Sequence, residues 1–230
     1  VPVRLSVIIP VYNERNTIQE IIRRVRAVDL GEIQKEIIVV DDGSTDGTSD
    51  ILKLEDDSTT KVFRHKENRG KGAAVRTGLE SATGDYLVVQ DADLEYEPED
   101  FRTMLAPMLK KKAEVVYGSR FTGEHRDMLF WHMVGNKLLS LVTNVLYNTT
   151  LSDMETCYKM FARSALDGIR VRSDHFDFEP EITAKVLKKG IRIYEVPISY
   201  AGREYSEGKK IHWTDGFSAL WTLVKYRFVN

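Results

Sequence analysis

Three short apolar runs, each ending in a polar cluster, set the tightest limit on what this chain can fold into. Leu5-Ser6-Val7-Ile8-Ile9 is stopped by Pro10. Glu36-Ile37-Ile38-Val39-Val40 runs into Asp41-Asp42-Gly43-Ser44, and Tyr86-Leu87-Val88-Val89 runs into Gln90-Asp91-Ala92-Asp93. Continuous runs of this length read as strands buried on both faces. Helical periods separate them: Ile18, Ile21, Ile22, Val25 and Val28, and later Gly72 to Ala82. Lys61 to Arg64 reads as a weaker strand and Ala113 to Tyr117 as a fourth strong one. Pro98 suits the first turn of a helix reaching about Lys112, in which Pro107 predicts a kink or break. This alternation implies an α/β fold with a mostly parallel central sheet flanked by helices. Ligands of such sheets bind beyond the carboxyl ends of the strands. The polar clusters after Ile9, Val40 and Val89 are therefore expected to share one crevice.

The second half is less regular. Trp131, Val134, Leu138, Leu141, Val142 and Val145 suggest a long amphipathic helix, and Glu179 to Lys189 another. Ile191 to Val196 alternates like a half-buried strand, and Thr214 to Phe228 is helical with Phe217, Leu220, Trp221, Val224 and Phe228 on one broad face. No linker or repeat divides the chain, so residues 1–230 are expected to form one domain. Residues 1–120 supply its binding half and residues 121–230 a second half with amphipathic helices.

Lys and Arg number 33 against 35 Asp and Glu, which removes any global basic field for nucleic acid. The single cysteine, Cys157, excludes an internal disulfide and a Cys-based zinc cluster, and suits a reducing compartment. No apolar run approaches a membrane span.

Asp91 and Asp93 are the strongest chemical signal. Residues i and i+2 of an extended segment face the same way, and two such carboxylates repel unless a cation or proton intervenes. Mg2+ and Mn2+ prefer oxygen ligands, often one or two carboxylates with phosphate oxygens and water making up the rest. Glu95 is a candidate third ligand, or a base behind the other two. Asp41 and Asp42 can accept from a base N–H or ribose hydroxyls, while Ser44 to Thr48 reads as a strand–turn–helix junction. Tyr12 can stack on a nucleobase and Glu14 accept from it. Asn68-Arg69-Gly70-Lys71-Gly72 sets cations and glycines before a helix N-terminus, a device that suits a diphosphate.

Val7 to Glu14, Asp41 to Thr48, Asn68 to Gly78 and Asp91-Ala92-Asp93 together resemble the inverting glycosyltransferase family 2, whose fold is of the GT-A type. The resemblance implies that Pro10, Tyr12, Glu14 and Asp42 line the nucleoside pocket, and that Asp91 and Asp93 bridge Mg2+ or Mn2+ to the diphosphate of a nucleotide-sugar donor. Gly118-Ser119-Arg120, Asp153 to Phe161, Phe176 to Glu179, Val196 to Tyr200 and Arg203 to Ile211 look like its polyprenyl-phosphate branch, which contains dolichol-phosphate mannose synthases and their glucosyl counterparts. Relatives often have glycine where Cys157 stands. GDP-mannose and UDP-glucose are both compatible donors.

A phosphate acceptor has a second pKa of about 6 and needs no base at neutral pH. It needs cations, for which Arg120, Arg203, Lys209 and Lys210 are candidates, with Asp153 orienting them or capping a turn. The alternative is a hydroxyl acceptor, with Asp153 as base. The helix from Leu129 to Tyr147 carries more apolar surface than one core-facing stripe needs, as helices in a membrane interface do. The expected location is therefore cytoplasmic, peripheral at the cytoplasmic face of a membrane.

Overall fold

A computed structural model describes residues 2–203 and 213–229. The first half alternates strand and helix: β1 (Arg4–Val11), α1 (Ile18–Ala27), β2 (Gln34–Asp41), α2 (Thr48–Leu52), β3 (Thr60–Arg64), α3 (Lys71–Ser81), β4 (Tyr86–Val89), α4 (Phe101–Leu109) and β5 (Val115–Ser119). The second half adds α5 (Phe130–Tyr147), β6 (Lys159–Ala162), α6 (Arg163–Leu166), α7 (Phe178–Lys188), β7 (Ile193–Pro197) and α8 (Trp213–Phe228). Seven strands form one sheet in the order β3-β2-β1-β4-β6-β5-β7. All neighbours are parallel except around β6, which is antiparallel to both β4 and β5.

Three expectations need correction. Pro10 does not stop the first strand: β1 stays paired with β2 through Val11↔Asp41, whereas its pairing with β4 ends at Ile8↔Val89. Ile8 faces β4, since its carbonyl accepts from Gln90 N–H at 2.8 Å. Two residues on, Pro10 faces the same side, where β4 has finished, so its missing N–H interrupts no ladder. The helix expected from Pro98 is split into a 3₁₀ turn, Pro98–Asp100, and α4, which ends two residues after the buried Pro107. Finally, β6 is a strand where the sequence pattern predicts none. It is four residues long and begins at Lys159, a fully buried cation that no apolar pattern announces.

The core lies on both faces of the sheet, as the continuous apolar runs require. Leu5, Val7 and Ile9 pack with α1 and with the residues around α4 and β5, while Ile8, Ile38 and Val40 pack under α3. α3 comes so close that a Cβ on Gly78 would stand 2.3 Å from Ile8 Cγ2. At the amino ends of the strands Glu36 is buried but well served. It accepts from Ser6 hydroxyl at 2.7 Å, Thr83 N–H at 2.8 Å and hydroxyl at 3.0 Å, and Lys61 at 3.2 Å. Burial alone would push its carboxyl up, but these donors prevail and hold it down at about 2.

The long helix α5 has two apolar faces. Leu139, with Val142 and Leu146 beside it, packs on Ala219 and Leu223 of α8. Val134, Leu138, Leu141 and Val145 follow one another at three- and four-residue steps on another face and are exposed. The broad face read on α8 is also largely outward, with Phe217, Trp221 and Phe228 exposed, whereas Ala219, Leu223 and Tyr226 face inward. Among the described residues no helix is long and apolar enough to cross a membrane.

Candidate active site

The carboxyl tips of β1, β2 and β4 open into one cleft of about 800 Å³. It is lined by Pro10, Tyr12, Glu14, Asp42, Lys71, Asp91, Ala92, Asp93, Glu95, Arg120 and Arg203, all singled out from the sequence. The three tips are cross-tied. After β1, Asn13 takes a left-handed φ of 51°, with its N–H on Ser44 Oγ at 3.0 Å and its Oδ1 receiving Thr45 N–H at 2.8 Å. After β2, Asp42 accepts the N–H groups of Arg69 at 3.0 Å and Gly70 at 2.7 Å and pairs with His65 Nδ1 at 2.6 Å. Gly70 has φ +101°, and a Cβ there would lie 2.2 Å from the Asp174 carbonyl, so only glycine lets the two loops meet. After β4, Leu94 adopts φ 64°, an unusual conformation for a bulky residue, which turns the chain between Asp93 and Glu95.

The acidic cluster is neutralised from within. Lys71 bridges Asp91 at 2.9 Å and Glu179 at 3.0 Å. Burial opposes the charge on Lys71, but the acidic neighbours prevail and its pKa stands well above the usual lysine value. Arg203 grips Glu14 at 3.1 Å and Asp93 at 3.1 Å, and its backbone N–H donates to Glu95 at 2.7 Å. Glu95 also accepts the Tyr200 hydroxyl at 2.8 Å. Burial first, then the charges of Asp91 and Glu95, push the Asp93 carboxyl up to about 7 against the pull of Arg203. Arg203 is thus held among carboxylates.

A divalent cation was expected on Asp91, Asp93 and Glu95. Among the described residues no three acidic, His or Cys side chains are gathered for a metal. Glu95 has both oxygens engaged, by the Tyr200 hydroxyl and the Arg203 backbone N–H, and Asp91 has both on Lys71. Asp91 and Asp93 are a fitting pair in kind: both line the cleft and both offer oxygen. Two carboxylates suit a hard cation that takes its other ligands from phosphate and water.

Two sequence candidates do not line the cleft. Asp41 is buried beneath it, accepting Ser44 N–H at 2.9 Å and the Ser49 hydroxyl, and so builds the turn. Asp153 is fully buried behind Arg120, with both oxygens taken by the guanidinium at 2.8 Å and Oδ2 also by the Arg120 backbone at 3.0 Å. Burial would raise its pKa, yet Arg120 holds the carboxyl below its usual value. It anchors the cation and does not itself line the cleft. Lys209 and Lys210 lie outside the described residues.

Sequence reasoning missed Arg126, Glu155 and Glu179, which also line the cleft. Glu155 Oε1 and Glu179 Oε2 are covered from solvent and have no hydrogen-bond partner. Burial, then the charge of Glu179, pushes the Glu155 carboxyl up to about 8. Each unsatisfied buried oxygen costs about 1–3 kcal/mol. Lys159 pins the loop that carries Glu155 by donating to the carbonyls of Met154, at 2.9 Å, and Thr156. The available signals are the placement of Glu155 within the Asp153 to Phe161 stretch and of Glu179 at the end of Phe176 to Glu179.

Comparison with known proteins shows the family. The profile of glycosyl transferase family 2 matches residues 6–170. UDP-N-acetylglucosamine–dolichyl-phosphate N-acetylglucosaminyltransferase of Methanococcus voltae is 30% identical, covering 96% of this chain and 94% of its own length. The low-salt glycan biosynthesis hexosyltransferase Agl6 of Haloferax volcanii is 31% identical over 98% of this chain and 53% of its own. Among solved structures, glucosyl-3-phosphoglycerate synthase of Mycobacterium tuberculosis, crystallised with Mn2+, UDP and phosphoglyceric acid, superposes with a TM-score of 0.75 over 100% of this chain and 80% of that one, at 20% identity. The likeness extends to the whole α/β scaffold of the GT-A type, and with the profile match it makes this chain a glycosyltransferase belonging to glycosyl transferase family 2.

Proposed function

We propose that the enzyme moves a hexose, with inversion, from a nucleoside diphosphate sugar to a polyprenyl phosphate at a membrane surface. The observation that carries this reading is the Arg120–Asp153 pair. It gives the cleft a buried, fixed cation and keeps Asp153, the carboxylate considered as base for a hydroxyl acceptor, fully engaged. A phosphate acceptor brings its own nucleophilic oxygen and needs the cation alone. The Methanococcus voltae relative is named for a dolichyl-phosphate acceptor, which supports the same choice and adds UDP-N-acetylglucosamine to GDP-mannose and UDP-glucose as donors to test.

Tyr12 and Pro10 would flank the base, and Asp42 would hold the 68–70 loop against the nucleoside. Asp91 and Asp93 would hold Mg2+ or Mn2+, which when bound neutralises the departing diphosphate. Arg203 must then share or release Asp93. Arg120 orients the acceptor phosphate for attack on the face opposite the leaving group. The apolar stripes of α5 and α8 would seat the enzyme on the bilayer: Trp131 is 77% exposed yet also lines the cleft, joining that surface to the site.

The test is a panel of the three donors with a short polyprenyl phosphate and with free sugars, in Mn2+, Mg2+ or chelator. Transfer to the lipid phosphate only with metal is expected. Transfer to a free sugar with no lipid phosphate product would overturn the acceptor assignment, and full activity in chelator would overturn the metal. Leu141→Asp with Trp221→Asp should weaken sedimentation with anionic vesicles about tenfold or more, with donor binding intact. Undiminished sedimentation would remove the membrane seat.

A further inference from the structure

Glu155 and Glu179 are brought to one wall of the cleft by separate elements, the loop before β6 and the first turn of α7. Each leaves a covered carboxylate oxygen without a donor, and Glu179 as a residue is only 4% exposed. Buried acceptors in a native protein are normally satisfied, so these two oxygens call for donors that arrive with a ligand. The charge on Glu179 repels an anion, and Lys71 already supplies the local positive charge that a metal would bring. What remains is a neutral group rich in O–H donors. Position narrows it further. Lys71 touches Asp91 on one side and Glu179 on the other, so the uncovered acceptors stand one side chain away from the carboxylate assigned to the diphosphate end. In a nucleoside diphosphate sugar the diphosphate joins the ribose to the sugar ring; with the nucleoside assigned to the Tyr12 and Asp42 side of the cleft, the sugar ring is the group left for this wall.

We propose that Glu155 and Glu179 form the subsite that reads the hydroxyls of the transferred sugar and selects the donor hexose, an assignment that rests on the glycosyl-transfer reading above. Glu179 is the obligate acceptor, its other oxygen being tied to Lys71. Glu155 is the adaptable partner: burial beside Glu179 keeps it protonated at neutral pH, so it can donate to one hydroxyl while accepting from another.

The experiment uses the intact enzyme with Mn2+, as wild type and as Glu155→Gln and Glu179→Gln. Affinities are measured calorimetrically for UDP and GDP, and then for the glucose, galactose, mannose and N-acetylglucosamine forms of whichever nucleotide binds. The preferred donor is also supplied as its singly deoxygenated sugars. The ratio of nucleotide-sugar to bare-nucleotide affinity is the readout, because it cancels any disturbance of Lys71 or of the nucleoside pocket. Wild type should lose about tenfold or more for at least one deoxy sugar, and the matching Gln variant should lose less than about twofold on the same change. Preference among the four sugars should flatten in the variants. Equal losses in wild type and variants, or an unchanged sugar preference, would overturn the subsite. Should a variant fail to fold, the wild-type deoxy series decides alone, since indifference to every hydroxyl leaves nothing for the two glutamates to read. A wild type that binds neither UDP nor GDP would overturn the nucleotide-sugar reading itself, a failure distinct from sugar blindness.

Discussion

The two ends of the parallel strands treat buried carboxylates in opposite ways. At the amino ends Glu36 collects four hydrogen bonds from three chain segments and is held down at about 2. At the carboxyl ends Asp93 is pushed up to about 7 and Glu155 to about 8, and two oxygens have no donor. Both ends sit in the same protein under the same sheet. The difference is whether the chain or a ligand provides the compensating charge and donors. Where the chain does so, the carboxylate stabilises the fold. Where it does not, the fold carries a cost that, on the proposed reading, binding relieves.

Asp153 is the intermediate case, at the functional end but satisfied like Glu36, and it gives the largest expected effect. Asp153→Asn leaves Arg120 buried without its counter-charge and should destabilise by about 3–5 kcal/mol in urea unfolding, while the enzyme that remains folded keeps measurable turnover at a raised KM for acceptor. Unchanged stability with a collapse in kcat would instead make Asp153 a base and return the hydroxyl-acceptor alternative. Next, Asp91→Asn should lower transfer about 10²–10³-fold without destabilising the protein, and chelation should do the same to the wild type. A large loss of stability would place Asp91 with Glu36 and blur the contrast.

Glu36→Gln should cost about 1–3 kcal/mol at pH 7. Its folded pKa lies below the unfolded value of 4.5, so its stabilisation is present above that value and fades as pH falls toward 2. The wild type should therefore weaken over that window more steeply than the variant. Glu155→Gln should give the smallest effect and the opposite sign, a gain of about 0.5–2 kcal/mol at pH 9. Its folded pKa is raised, so the wild type loses stability as pH rises from 4.5 through 8 and the variant does not. Parallel curves for wild type and variant would erase the distinction between the two ends.

The same division explains what the sequence disclosed. In parallel strands the residues that follow the apolar run reach the ligand end, so Tyr12, Glu14, Asp42, Asp91 and Asp93 could be found by reading forward from Ile9, Val40 and Val89. β6 runs the other way, and it is the residues before it that arrive at that end. Glu155 and Cys157 therefore stood in a segment with no strand signal to point at them. Asp41 and Asp153 were acidic residues in suggestive places, but burial and partner choice, which only the tertiary structure decides, made them supports. Arg203 comes from a loop far along the chain, and nothing local foretold its pairing with Glu14 and Asp93.

Trp131, at once exposed and part of the cleft wall, has a consequence for acceptor length. A cavity of about 800 Å³ has room for a nucleotide sugar and a headgroup but not for a long isoprenoid. On the proposed polyprenyl-phosphate reading, the tail would stay outside, along the exposed apolar face that Trp131 joins to the site. The cleft would then limit what is transferred and to which headgroup, and would leave the number of isoprene units unregulated.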